Sequence, residues 1–142
     1  MEPEGKARPD MLYEEESYAI RGAIYEVYAQ LGVGFAEPVY QEALECEMSM
    51  RGIPFEAQKP VRILYKGREL AQTYRLDLLC YGKIVVELKS VRAILPEHEA
   101  QLLNYLRATG CHLGLLVNFS HYPMVDIRSF GNGRPAPEAT GG

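Results

Sequence analysis

Asp77, Glu87 and Lys89 are the residues of this 142-residue chain whose types and spacing could carry chemistry. In the run Tyr74-Arg-Leu-Asp-Leu-Leu-Cys-Tyr81, strand alternation puts Leu76, Leu78 and Cys80 on one face. Arg75, Asp77, Leu79 and Tyr81 take the other. In Lys83-Ile-Val-Val-Glu-Leu-Lys-Ser90, Ile84, Val86 and Leu88 share a face, and Val85, Glu87 and Lys89 share the opposite one. Two carboxylates and an ammonium amid aliphatic neighbours are costly to bury unpaired. Such a set calls for a metal, a salt bridge or an exposed face.

Hairpin register decides whether these groups meet. A two-residue turn at Tyr81-Gly82 pairs Asp77 with Val86 and sends the two carboxylates to opposite faces. A three-residue turn, Tyr81-Gly82-Lys83, pairs Asp77 with Glu87 directly. Like charges placed opposite each other destabilise a hairpin unless something positive lies between them. A divalent cation with oxygen ligands would serve, and so would Lys89. Magnesium on Asp77 and Glu87 would neutralise a scissile phosphate and acidify a bound water, the chemistry of phosphodiester hydrolysis. Lys89 would orient that water or stabilise developing charge. The alternative is a surface salt-bridge cluster on a half-exposed sheet, because a glutamate two residues before a lysine recurs by chance.

The elements that must position these residues follow from periodicity and punctuation. Ile20, Ala23, Ile24, Val27, Tyr28 and Leu31 form a helical stripe from about Tyr13 to Leu31, ended by Gly32 and Gly34. Glu37-Pro38 opens a second helix that runs to about Met50, with Tyr40, Leu44 and Met48 on one face. Three strands are expected next: Phe55 to Tyr65, interrupted by Pro60 as suits an edge or a bulge, then Leu70 to Cys80, then Lys83 to Ser90. A helix from about Pro96 to Thr109 ends at Gly110, and Leu113 to Phe119 reads as a strand buried on both faces. The expected fold is α/β (α+β): a mixed central sheet flanked by helices, its last strand reached through a helix and so able to lie parallel to a neighbour. A single domain over 13–130 is expected, with an extension at 1–12 and a flexible tail at 131–142, where Gly, Pro and Ala dominate.

Composition bounds the function. The net charge is -4, which disfavours a protein that coats nucleic acid by charge alone. The charge is uneven, though. Residues 51–92 carry nine basic against four acidic side chains, whereas residues 1–50 carry three against eleven. The middle third is the part that could face a polyanion. Strands also carry Lys and Arg simply on solvent faces and edges. Cys46, Cys80 and Cys111 form no CxxC pair, so neither a disulfide framework nor a zinc knuckle is supported. His98, His112 and His121 show no ligand spacing. Without a signal-peptide pattern or an apolar run near the roughly 20 residues that span a bilayer, a soluble, cytoplasmic protein with no membrane partner is expected.

Taken together, these residues resemble a known family. Glu87-Leu88-Lys89 after Asp77 is similar to the Asp…ExK core of the PD-(D/E)XK nuclease superfamily. Gly34-Phe-Ala-Glu37-Pro-Val-Tyr40 matches the motif that names its GxxExxY branch. The blocks LGVGFAEPVYQEAL, ILYKGREL, YRLDLLC, IVVELKS, QLLNYLR and GLLVNFS follow in the family's order, so the resemblance runs from about Glu14 to Arg128. It implies a restriction-endonuclease-like core (helix, three strands, helix, strand) preceded by an extra N-terminal helix. It implies Asp77, Glu87 and the main-chain carbonyl of Leu88 as ligands of Mg2+ or Mn2+, and Lys89 as the catalytic lysine. Gln101 and Tyr105 match the QxxxY element that supports the site and contacts nucleic acid. Glu37, the signature acid, would join the metal shell or else simply favour a helix N-terminus. Arg75 would touch a phosphate or neutralise Asp77. Where the family places a histidine before its LGxG turn, this chain has Tyr28.

The function these readings favour is metal-dependent hydrolysis of DNA, or RNA, by a domain able to pair as a homo-oligomer. Two alternatives stand beside it: a catalytically silent nuclease fold used for binding or self-assembly, and an accessory subunit of a nucleic-acid-processing complex.

Overall fold

The structure, a computed structural model, describes residues 12–133. Two helices come first. α1 (Glu14–Leu31) carries Glu14, Glu15 and Glu16 in its first turn, where negative charge complements the helix dipole, and it buries Ile20, Ala23, Ile24 and Val27. α2 (Glu37–Arg51) starts after the extended Ala36, with proline in its first turn, and ends at Gly52, whose φ of 72° is the left-handed conformation that closes helices.

The sheet follows: β1 (Phe55–Val61), β2 (Leu64–Tyr65), β3 (Arg68–Glu69), β4 (Tyr74–Cys80), β5 (Ile84–Lys89), β6 (Leu113–Asn118) and β7 (Asp126–Gly131), with α3 (Pro96–Thr109) between β5 and β6. Five strands form one sheet in the order β1-β4-β5-β6-β7, and β2 pairs with β3 in a small separate ribbon. β5 and β6 run parallel through the α3 crossover, while the other neighbours in the sheet are antiparallel. The mixed sheet with flanking helices is therefore the architecture. Pro60 falls on β1, an edge strand, where its missing N–H costs no interior ladder bond.

The strand boundaries differ from those expected. The run Phe55 to Tyr65 breaks into β1 and β2, the run Leu70 to Cys80 is a strand only from Tyr74, and Arg68–Glu69, before that run, forms β3 and pairs with β2. β7, the edge beyond β6, was not expected; it is half-buried along its whole length, so it carries no alternation to read. Gly131 belongs to that strand, not to a tail. The rest of the expected tail, from residue 134, lies outside the described residues, as does the expected N-terminal extension apart from Leu12.

The core has two layers. On one face of the sheet, α1 and α2 bury Ile24, Tyr40 and Leu44 against Leu78, Val86, Leu88 and Phe119. On the other face, α3 lays Leu102, Tyr105 and Leu106 on Leu76, Leu79, Val85 and Leu116. Each fully buried aliphatic side chain contributes about 1.5–3 kcal/mol. α3 comes close to β6 at Gly114, where a Cβ would meet Leu102 Cδ1 at 2.8 Å. Leu76 and Leu78 lie in different layers, so the regular alternation expected along β4 is broken between them, at Asp77. Opposite the break, Gln58 of β1 takes a φ of 52°. The break falls at Asp77, which lines a cleft beside α2.

Candidate active site

The β4–β5 turn settles the register. Tyr81 and Gly82 have φ of 55° and 68°, Lys83 N donates to Cys80 O at 3.0 Å, and Cys80 pairs with Ile84. The three-residue connection Tyr81-Gly82-Lys83 is the one present, so the ladder continues from Leu78 and Val86 to bring Asp77 beside Glu87. Each carboxylate accepts a main-chain N–H from the partner strand. Asp77 N donates to Glu87 Oε1 at 3.0 Å, and Leu88 N donates to Asp77 Oδ2 at 2.7 Å. These two bonds fix both groups in place.

Their environment is unfavourable for charge. Glu87 is buried, with 4% of its surface exposed, and Asp77 is half-buried. Burial, and then the charge of Asp77, push the Glu87 carboxyl up to about 8. Burial also raises Asp77, against the opposing pull of the Leu88 N–H and the Lys89 ammonium. Lys89, at the end of β5, makes no ion pair among the described residues, yet its charge reaches Asp77, Glu87 and Glu37. A buried and a half-buried carboxylate, with no basic side chain bonded to either, fit a divalent ion such as Mg2+. Among the described residues, no three His, Cys, Asp or Glu side chains stand close enough to hold a metal by themselves. A cation here would complete its shell with main-chain oxygen and solvent.

Glu37 is the first residue of α2, after the N-cap Ala36, and places its charge in the helix's first turn. It lines a cleft of about 340 Å³ whose wall also includes Asp77, Gln41 and Gln58. Burial and then the charge of Asp77 raise its carboxyl. The structure thus faces Glu37 toward Asp77 without drawing it into one cluster with both carboxylates. Gly34, at a φ of 104°, supplies the turn that only glycine adopts readily, and Tyr40 locks it. The Tyr40 hydroxyl donates to Gly32 O and accepts from Phe35 N at 3.3 Å, while its ring stacks on Phe119 at 4.5 Å. Gly34, Glu37 and Tyr40 are therefore a turn, an acid held over the cleft, and the clamp for that turn.

Of the other expected residues, Tyr105 is buried on α3, and its hydroxyl is pushed up to about 12 by burial and then by the charges of Glu87 and Asp77. Gln101 lies one turn earlier and lines a hollow with Tyr105. Arg75 is exposed and makes no ion pair with Asp77. Tyr28 donates its hydroxyl to His121 O at 2.8 Å. His98 Nδ1 accepts from Leu95 N at the start of α3. The cysteines are free and Cys80 is buried. No described helix is long and apolar enough to cross a membrane.

Sequence reasoning missed three supports. Gln41 Nε2 donates to the main-chain carbonyl of Asp77 at 3.0 Å; its place one turn after Glu37 was the available signal. Ser90, directly after Lys89, donates to Phe35 O at 2.6 Å and bonds Ser120 Oγ. The buried Asn118 holds Val91 through both its N–H and its carbonyl, fixing the chain as it leaves β5.

A strand hairpin that presents Asp77 and Glu87 with Lys89 beside them, backed by the α3 crossover to a parallel strand, defines a nuclease-type fold. The chain belongs to the PD-(D/E)XK nuclease superfamily, whose family model matches residues 14–130. Among solved structures, the crystal structure of SSO0001 is similar over 96% of this chain and 71% of that one, with a TM-score of 0.55 and 20% identity. That likeness supports the fold. The comparison with curated proteins gives no match.

Proposed function

We propose that this chain is a metal-dependent nuclease of the GxxExxY branch, hydrolysing phosphodiester bonds in DNA or RNA. The observation that carries the reading is the Asp77–Glu87 pair, its glutamate buried, held by reciprocal main-chain bonds with no basic side chain bonded to either carboxylate. Mg2+ or Mn2+ at this pair, when bound, supplies Lewis-acid neutralisation of the phosphate. Asp77, Glu87 and the Leu88 carbonyl are the proposed holders. Lys89 orients the attacking water and offsets charge that builds on the phosphate. Glu37 accepts a proton or a water from the cleft side. Gln101, Tyr105 and Arg75 position the nucleic-acid backbone.

One observation favours a second reading. Glu37, Glu42, Glu45 and Asp77 share the 340 Å³ cleft with no basic side chain on its wall, a poor approach for a polyanion. A nuclease fold kept for binding, for self-assembly or as an accessory subunit would tolerate that field. Incubation of the purified chain with labelled single- and double-stranded DNA and RNA, in Mg2+, Mn2+ or EDTA, separates the two. Metal-dependent cleavage of any of these substrates supports the nuclease. Intact substrates throughout, with manganese titrated, support the second reading.

A further inference from the structure

We propose that the groove between the β2–β3 ribbon and α3 is a track for a single-stranded nucleic acid, with Tyr74 as its base-stacking platform. The inference rests on the nuclease reading and names the form of substrate that would reach that site.

Two adjoining hollows, of about 590 and 270 Å³, share Ile63, Tyr74 and Asn104 on their walls. The outer one is flanked by Arg62 and Arg107, and the inner one reaches Gln101 and Tyr105. Tyr105 makes the connection, because it packs in one cluster with Leu76 of β4 and Val85 of β5, the strands that carry Asp77 and Glu87. A chain laid along the groove would approach those strands by a route other than the acidic cleft beside α2.

The wall suits unpaired bases. Tyr74 is 50% exposed and its ring lies 5.7 Å from that of Tyr105, so two aromatic rings follow one another toward the site. Leu64, on the wall of the outer hollow, is 61% exposed, a cost in water that a stacked base would remove. Stacking on an aromatic side chain contributes about 1–3 kcal/mol per base and needs a base face that duplex DNA keeps hidden.

The rim suits phosphate. Arg51, Lys59, Lys83 and Arg128 elsewhere in the fold are each tied to a carboxylate. By contrast, Arg107 of α3, on the wall of the outer hollow, makes no ion pair among the described residues, and neither do Lys66 and Arg68 of the ribbon, which stand outside both hollows. Lys66 lies over the Tyr65 ring, 5.6 Å from its centroid, and Arg62 alone of this group is held by Glu69. Unpaired cations beside exposed aromatic rings are the combination that single-strand binding uses.

The test is binding in EDTA, where cleavage cannot interfere. Fluorescence anisotropy would follow the full chain on labelled single-stranded DNA and RNA of about 16 nucleotides and on the matching duplex. The expected result is tighter binding of single strands, weakened about tenfold by Tyr74→Ala and restored by Tyr74→Phe. Arg107→Ala should weaken binding and reduce the salt slope by about one. Arg51→Ala, on α2, should leave binding unchanged. Preference for duplex, or a Tyr74→Ala variant that melts and binds like the parent, would overturn the proposal. Cleavage by the parent then discriminates the two ideas: a nuclease without this track still cuts in metal, whereas a track on a silent fold still loses single-strand binding in Tyr74→Ala.

Discussion

Ser90 Oγ donates to the carbonyl of Phe35 at 2.6 Å, joining the end of the Glu87–Lys89 strand to the turn that carries Glu37. Two parts of the site that are far apart in the chain thus meet through one hydroxyl, which also bonds Ser120. Groups that orient a catalytic shell typically matter by about 10–100-fold. Ser90→Ala should lower metal-dependent cleavage by about tenfold, and Ser90→Thr should restore most of it. Cleavage rates for the two variants check this; equal rates in both would show that the link positions nothing.

Glu87 predicts a pH dependence of stability in the metal-free protein. Its carboxyl is raised to about 8 in the fold from an ordinary 4.5, so folding favours the protonated form. The associated stability is complete below pH 4.5 and is lost as the pH climbs toward 8. Glu87→Gln keeps an acceptor for Asp77 N and removes the charge. In EDTA, thermal melts should show this variant about 4 °C or more above the parent at pH 8 and level with it near pH 4.5. Mn2+ should then raise the parent at pH 8 and leave the variant unmoved. A parent that outlasts the variant at pH 8 in EDTA would contradict the buried, unneutralised pair.

Tyr40 separates packing from clamping. Tyr40→Phe keeps the stack on Phe119 but removes both bonds to the Gly32–Phe35 turn, a loss of about 1–3 kcal/mol. Tyr40→Ala also opens a cavity and should cost about 3–5 kcal/mol. Urea unfolding measures both; a Tyr40→Phe variant as stable as the parent would mean that the hydroxyl contributes little.

The helices were legible because α1, α2 and α3 each carry an apolar stripe closed by glycine, and two of them begin at proline. The presence of Asp77 and Glu87 on neighbouring strands was legible too, but their register was not. It turns on Tyr81 taking a positive φ, which its residue type does not announce. The break between Leu76 and Leu78 was hidden for a similar reason: both are leucines, and only the tertiary layers show that they face opposite ways. β7 escaped because a strand half-buried at every position has no period. The groove lining was invisible because Tyr74 and Asn104 acquire meaning only when the ribbon folds beside α3.

The most direct test of the central claim is cleavage of labelled nucleic acid in Mg2+ or Mn2+ by the parent, Asp77→Asn and Lys89→Ala, each checked for an unchanged melt. The account predicts cleavage by the parent that EDTA abolishes and that falls at least about a hundredfold in both variants. Cleavage that persists undiminished in both folded variants would contradict the assignment of the site to Asp77, Glu87 and Lys89.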